Sequence, residues 1–185
     1  TQMVNRYIDE LSMQNGFENN IQAYSGSFVN SINNGINSGV SIFNYRGYLN
    51  MSGWDNTDTD NLSNGWKLPF VTILTCGTGG FDSNGGDCRS EAFLKAGSFA
   101  VPKGGIAAVG TATSSTHTGF NNCVNGGIYH GIFSDKLFYA GAALERGRLN
   151  LNATYPTGSD SYVQNFSHWN NLMGDAVTEL WTGVP

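Results

Sequence analysis

A short apolar strand followed by a glycine-rich loop is the feature that most restricts the fold of this chain. Residues 70–76 form an apolar, β-branched run of buried-strand length, and the Gly-Thr-Gly-Gly at 77–80 can only form a loop. The pattern predicts a strand that ends at Cys76. In an open α/β sheet, ligands and reacting groups collect beyond the carboxyl ends of the strands. Cys76 is therefore a candidate nucleophile, and a buried structural thiol is the alternative interpretation.

Apolar periodicity predicts helices and strands that alternate along the whole chain. This alternation favours one α/β domain over residues 1–185, with a mainly parallel sheet covered on both faces. The predicted helices cover residues 3–11, 28–36, 90–96, 127–133, 136–149 and 162–173, and the predicted strands cover residues 21–24, 40–45, 70–76, 105–110 and 177–181.

Three predicted loops carry side chains that suit a functional site. Cys76 ends a predicted strand, and Tyr48 and His117 each follow one. Right-handed crossovers between parallel strands place such loops along one edge of the sheet. We therefore expect these three residues to converge there.

Composition excludes several classes of partner. Only 12% of the residues are charged, the net charge is -5, and the nine Lys and Arg residues form no cluster. Phosphate binding needs clustered cations, so nucleic acid is not an expected partner. No apolar run has the length of a membrane span. A surface of neutral polar groups fits a secreted or cell-surface protein.

The cysteines and acidic residues give no clear metal site. Cys76, Cys88 and Cys123 are odd in number and lack CxxC spacing, which argues against a zinc site and a disulfide framework. No histidine pair with a carboxylate has ligand spacing, so a metal-dependent hydrolase is disfavoured. No cofactor is expected.

Two acidic loops leave calcium as an open alternative. Their spacing does not match an EF-hand, so solvated loops are the preferred interpretation. The two sets are Asp55, Asp58 and Asp60, and Asp82, Asn84 and Asp87.

Several segments in order resemble the gingipain family of cysteine peptidases. Residues 44–49, Asn-Tyr-Arg-Gly-Tyr-Leu, are similar to the family's Asn-Tyr-X-Gly-His-Gly. Leu-Pro-Phe at 68–70 runs towards Cys-Gly-Thr-Gly-Gly-Phe at 76–81, similar to the family's Cys-X-X-Gly-X-Phe. Residues 88–92 and 104–109 resemble the helix and strand that follow. The resemblance implies a caspase-like αβα sandwich and cysteine endopeptidase activity.

The resemblance also implies roles for individual residues. Cys76 would be the nucleophile, and Tyr48 stands where the family has its catalytic histidine. The backbone N–H groups of Cys76 and Leu49 would bind the oxyanion. His117 and Gly77 would line the substrate pocket.

Tyr48 leaves two hypotheses open. An imidazole has an ordinary pKa near 6.5, whereas a phenol with a pKa of about 10 is a poor base at neutral pH. The domain is therefore either a cysteine endopeptidase or a degenerate peptidase-fold module used for binding or architecture. His117 is the alternative base, while His130 and His168 fall in predicted helices, where a packing or surface role is expected.

The first predicted helix resembles the first helix of the family's catalytic subdomain. The resemblance then implies that the family's first strand and preceding subdomain lie outside this chain, which would be part of a larger protein. A peptide or protein substrate and that larger protein are the expected partners. An unpaired sheet edge would also be expected.

Overall fold

The computed structural model describes residues 1–82, 85–156 and 161–182, and these form a sheet between two layers of helices. The strands are β1 (Ile42–Tyr45), β2 (Phe70–Ile73), β3 (Ala107–Thr111) and β4 (Asn170–Met173), in the spatial order β1-β2-β3-β4. The first three strands are parallel, and β4 is antiparallel to β3. The predicted α/β class with a mainly parallel sheet is confirmed.

Helices within the described residues cover both faces of this sheet. They are α1 (Gln2–Gln14), α2 (Phe28–Ser38), α3 (Asn56–Asp60), α4 (Arg89–Lys95), α5 (Thr118–Phe133), α6 (Ala140–Thr154) and α7 (Ser161–His168).

Successive side chains of the strands pack into two separate hydrophobic cores. Phe70 and Val109 lie in the cluster that α1, α5, α6 and α7 cover. Val71 and Ile73 lie in the other cluster, with residues of α2 and α4. Successive strand residues point to opposite faces, so a fully apolar strand such as β2 is buried on both sides. The result is the expected three-layer αβα sandwich.

Glycines allow the sheet and the loop after β2 to approach closely. A Cβ on Gly79 would lie 2.6 Å from the carbonyl carbon of Gly110 in β3. A Cβ on Gly110 would collide with the Ser90 hydroxyl of α4. The small residues of β3 therefore leave room for a helix on one side and for the loop beyond Cys76 at its end.

Several predicted elements differ from the structure. Residues 21–24 form no strand, and Ile21 is exposed rather than packed on the sheet. Residues 177–181 form no strand either, because only one isolated bridge joins Glu179 to Tyr139. The predicted last helix stops at His168, and the next residues pair with β3 as β4.

Other differences concern where elements begin and end. β2 ends at Ile73, three residues before Cys76, because a tight turn sends the Thr75 N–H to the Ile73 carbonyl. The fifth helix begins at Thr118 instead of Gly127. The acidic loop predicted around Asp55, Asp58 and Asp60 contains α3, which begins at a capping box between Asp55 and Asp58.

Candidate functional site

We call residues 74–80 the nucleophile loop, because they carry the candidate nucleophile Cys76 at the carboxyl end of β2. Thr78 fixes this loop, since its hydroxyl donates to the carbonyls of Ile73 (2.5 Å) and Thr75 (2.9 Å). The same hydroxyl accepts from the Thr111 N–H, and the Thr78 carbonyl accepts from Ser90. Thr78 is fully buried, whereas Cys76 is partly exposed. The thiol therefore lies on a rigid turn that is open to solvent.

The β1 loop, residues 46–50, lies directly against the nucleophile loop. The Asn50 N–H donates to the Cys76 carbonyl at 3.2 Å, and the Thr75 hydroxyl donates to the Asn50 carbonyl at 2.5 Å. A Cβ on Gly47 would meet the outer atoms of the Tyr45 ring, so the ring would have to move to make room for it. Tyr48 is 77% exposed, and its phenol has no hydrogen-bond partner among the described residues. The backbones of the two loops meet, while the Tyr48 ring faces solvent.

The β3 loop, residues 112–117, supplies the direct partner of the thiol. The Cys76 sulfur lies 2.9 Å from the Thr116 hydroxyl, and the Gly77 N–H donates to the Thr113 carbonyl at 2.9 Å. Thus the three strand-end loops predicted to converge do so. Thr116 was not predicted, because no local pattern distinguishes it from the other Ser and Thr residues of this loop.

His117 caps a helix. Its Nδ1 accepts from the Phe120 N–H at 3.3 Å at the start of α5, and the centres of the two rings lie 4.4 Å apart. His130 bonds Tyr7, and His168 ends α7. Within the described ranges, no histidine is bonded to the Cys76 sulfur.

The two N–H groups proposed for the oxyanion are unoccupied. Among the described residues, the N–H groups of Cys76 and Leu49 donate to no protein acceptor. Leu49 and Asn50 have φ values of 38° and 48°, in the left-handed region that favours glycine. Glycine adopts such φ values without strain and would therefore suit position 49.

Arg46 is a buried cation at the centre of these loops. Its guanidinium donates to the Leu74 carbonyl and to Asn122 Oδ1 of α5. Burial lowers the pKa of Arg46 to about 10, and the nearby Cys76 raises it. Arg46 was not among the predicted site residues, because its acceptors lie far along the chain and no local pattern marks them.

The other two cysteines lie elsewhere. Cys88 is buried and precedes α4, and burial raises the pKa of its thiol. Burial also raises the pKa of the Cys123 thiol in α5. All three cysteines are free thiols.

Three side chains of the acidic loops, those of Asp55, Asp58 and Asp87, have protein partners. Asp55 accepts from the backbone N–H groups of Thr57 and Asp58, and Asp87 pairs with Lys95 at 2.6 Å. Asn84 lies outside the described residues. In the part of the chain that the structure describes, no cluster of three His, Cys, Asp or Glu side chains could hold a metal ion.

Comparison with known proteins identifies the family. The sequence profile of peptidase family C25 matches residues 1–181. The chain belongs to this family. No curated protein matches the C25 chain significantly.

Solved structures share the fold of this C25 chain. The crystal structure of the Arg specific cysteine proteinase gingipain R (RGPB) matches with a TM-score of 0.88 at 20% identity, over 99% of this chain and 43% of that one. The complex of the Porphyromonas gingivalis RgpB pro- and mature domains matches with a TM-score of 0.87 at 20% identity, over 98% and 44%.

A third structure, described as a protease, matches with a TM-score of 0.79 at 16% identity, over 97% of this chain and 45% of the other. The C25 chain thus spans less than half the length of these solved structures. The family resemblance found in the sequence and the caspase-like fold are both confirmed. Along the described ranges, no helix is long and apolar enough to cross a bilayer.

Proposed function

We propose that this chain is the nucleophile-bearing part of a cysteine-type endopeptidase, with Cys76 as the thiol nucleophile. One observation carries the proposal: a partly exposed thiol lies at the carboxyl end of a buried strand, and the N–H group of the same residue is free of protein acceptors within the described residues. Nucleophiles at such turns can reach a bound carbonyl from the open side.

The proposed chemistry is acyl transfer to the thiol. The Cys76 sulfur attacks the carbonyl carbon of a peptide bond, and the oxyanion accepts hydrogen bonds from the N–H groups of Cys76 and Leu49. The thiol gives its proton to solvent before the attack. The C–N bond then breaks, and the leaving amine takes a proton from solvent water. Water hydrolyses the thioester and restores the thiol. Gly77, which follows Cys76, and His117, which follows Thr116, would line the pocket for the substrate side chain.

The proposed partners follow from this reaction. The substrate is a peptide or protein, and the rest of a larger parent protein would complete the substrate-binding surface. A net charge of -5 argues against nucleic acid. The low charged fraction supports a secreted or cell-surface location. The reaction as proposed needs no cofactor. Calcium would bind only at the two acidic loops and would take no part in the reaction.

A second candidate function rests on Tyr48. This residue replaces the family histidine, its ring faces solvent, and no described histidine bonds the sulfur. Loss of a general base lowers the rate by about 10²-fold or more. A degenerate peptidase-fold module that binds peptide without turnover would have these features.

Peptide-library cleavage distinguishes the two functions. The chain, its Cys76→Ala variant and a Cys88→Ala control are incubated with the library, and the products are identified by mass spectrometry. Turnover that Cys76→Ala abolishes and Cys88→Ala retains supports the endopeptidase. Absence of turnover in the unaltered chain, together with turnover in Tyr48→His, supports the degenerate module and contradicts the endopeptidase.

A further inference from the structure

Arg46 is a buried charge without an acidic partner. The residue is 7% exposed, and no described Asp or Glu side chain forms an ion pair with it. All the acceptors of its guanidinium are neutral oxygens, which belong to Leu74, Thr118 and Asn122. Buried charges are normally paired with an opposite charge. Arg46 therefore carries a buried positive charge that no acidic side chain of the described residues balances.

The acceptors of Arg46 place it between the segments that position the thiol. Leu74 begins the nucleophile loop two residues before Cys76, and Thr118 lies two residues after Thr116, the hydroxyl partner of the sulfur. Asn122 Oδ1 accepts from the guanidinium at 2.8 and 3.3 Å, one turn further along α5. Three partners thus hold the guanidinium next to the segments that carry Cys76 and Thr116.

The charge of Arg46 persists at neutral pH. Burial lowers the pKa of Arg46 only to about 10, and Cys76 opposes that decrease. A cation raises the stability of a nearby anion, and this effect is larger where water is excluded. The sulfur of Cys76 is the ionisable group of the site that can supply such an anion.

We propose that Arg46 is the fixed counter-ion of the Cys76 thiolate. In a Cys and His peptidase, the imidazolium has this role. Here the thiol loses its proton to solvent, and the guanidinium stabilises the sulfur anion that remains, so no side-chain base is needed before attack. Arg46 acts through Cys76 and is a positioning residue for the thiol. This inference rests on the proposed function, because it assigns a partner to the same nucleophile.

Iodoacetamide labelling of Cys76 at different pH values tests the role of Arg46. The rate is measured by mass spectrometry at about pH 6 and about pH 9, on either side of the ordinary thiol pKa near 8.5. In Arg46→Met, the ratio of the rate at low pH to the rate at high pH should fall about tenfold, which corresponds to a shift of one pH unit. Lys103→Met removes a cation that bonds the Asp60 carbonyl and should leave the ratio unchanged.

Asn122→Asp keeps the proposal falsifiable if Arg46→Met does not fold. This substitution retains an oxygen acceptor for the guanidinium and adds a negative charge that neutralises it. The low-pH rate should fall as in Arg46→Met, although the new ion pair preserves the structural contact. An unchanged ratio in Asn122→Asp would show that Arg46 is only a structural clamp and would overturn the inference.

The same data separate this inference from the proposed function. If unaltered Cys76 labels no faster than N-acetylcysteine at either pH, the thiol is not activated and both the nucleophile and its counter-ion are contradicted. If Cys76 labels rapidly and the two charge variants do not change the ratio, only the role of Arg46 is contradicted. Rapid labelling that both variants reduce at low pH supports both.

Discussion

The sulfur of Cys76 lies 2.9 Å from the hydroxyl oxygen of Thr116, and this contact joins the nucleophile loop to the β3 loop. A threonine hydroxyl donates and accepts hydrogen bonds, but it is not a base at neutral pH. Thr116 therefore orients the sulfur and does not take its proton. The described residues therefore hold the thiol in place. None of them that contacts the sulfur can act as a general base.

Loss of the Thr116 hydroxyl should slow the reaction of Cys76. We expect Thr116→Val to reduce the iodoacetamide labelling rate about fivefold, since one hydrogen bond contributes about 1 kcal/mol. Thr116→Ser keeps the hydroxyl and should retain most of the rate. Equal rates for the Val and Ser variants, measured by mass spectrometry, would argue that the hydroxyl has no part in orienting the sulfur.

A histidine at position 48 should increase peptide hydrolysis. Because Tyr48 is 77% exposed, Tyr48→His should fold normally and add an imidazole next to the nucleophile loop. We expect kcat/KM for a peptide substrate to rise about 10²-fold, the usual contribution of a general base. Tyr48→Phe is the control and should show no increase. A similar rate for the His and Phe variants would mean that position 48 does not face the reacting groups.

Glycine at position 49 should stabilise the β1 loop. Leu49 has a φ of 38°, which costs a branched side chain roughly 1–2 kcal/mol, and its half-exposed side chain buries little apolar surface. We expect Leu49→Gly to raise the free energy of unfolding by roughly 0.5–1 kcal/mol in urea titration. Leu149→Gly, at an exposed position of α6, should instead lower it by about 1 kcal/mol. A decrease in both variants would contradict strain at Leu49.

A methyl group on Gly79 should disturb the contact between the nucleophile loop and β3. Its Cβ would lie 2.6 Å from the Gly110 carbonyl carbon, so the backbone must shift. We expect Gly79→Ala to lower the free energy of unfolding by roughly 2–3 kcal/mol. Gly85→Ala is the matched control, because its Cβ would meet no described atom within 4 Å. Thermal or urea unfolding that gives the same change for both would disprove the close approach.

Acid should weaken the cap of α3. The backbone N–H groups of Asp58 and Thr57 hold the pKa of Asp55 below its ordinary value of 3.8. The cap therefore stabilises the fold above that value, and its contribution is lost as pH falls through the lowered folded-state value. Asp55→Asn keeps the cap acceptor without the titration, so its urea midpoint should decrease less steeply below about pH 4. If the urea midpoints of the unaltered chain and of Asp55→Asn decreased equally with falling pH, a lowered pKa of Asp55 would be contradicted.

Elements with a local apolar pattern were predictable, and those that depend on distant contacts were not. The stripe of α1 and the apolar run of β2 are visible in sequence, because burial fixes their periodicity. By contrast, Asn170 gives β4 no apolar signal, and its side chain is held by the Thr111 hydroxyl at 3.2 Å. The strand is defined by its partner β3.

The same contrast between local patterns and distant contacts applies to the candidate site. The glycine-rich turn identified Cys76, because a strand followed by such a turn has few alternatives. Thr116 and the acceptors of Arg46 come from loops and helices far along the chain. Which of several hydroxyls reaches the sulfur is decided by packing. His117 was expected near the site and lies in the adjoining loop, but its ring nitrogen is used to cap α5.

The most direct test of the central claim is the iodoacetamide labelling rate of each cysteine at about pH 7, resolved by mass spectrometry. An activated nucleophile predicts that Cys76 reacts faster than Cys123, which is also partly exposed, and faster than free N-acetylcysteine, while buried Cys88 reacts slowest. A Cys76 rate equal to or below that of N-acetylcysteine would contradict an activated thiol at this site.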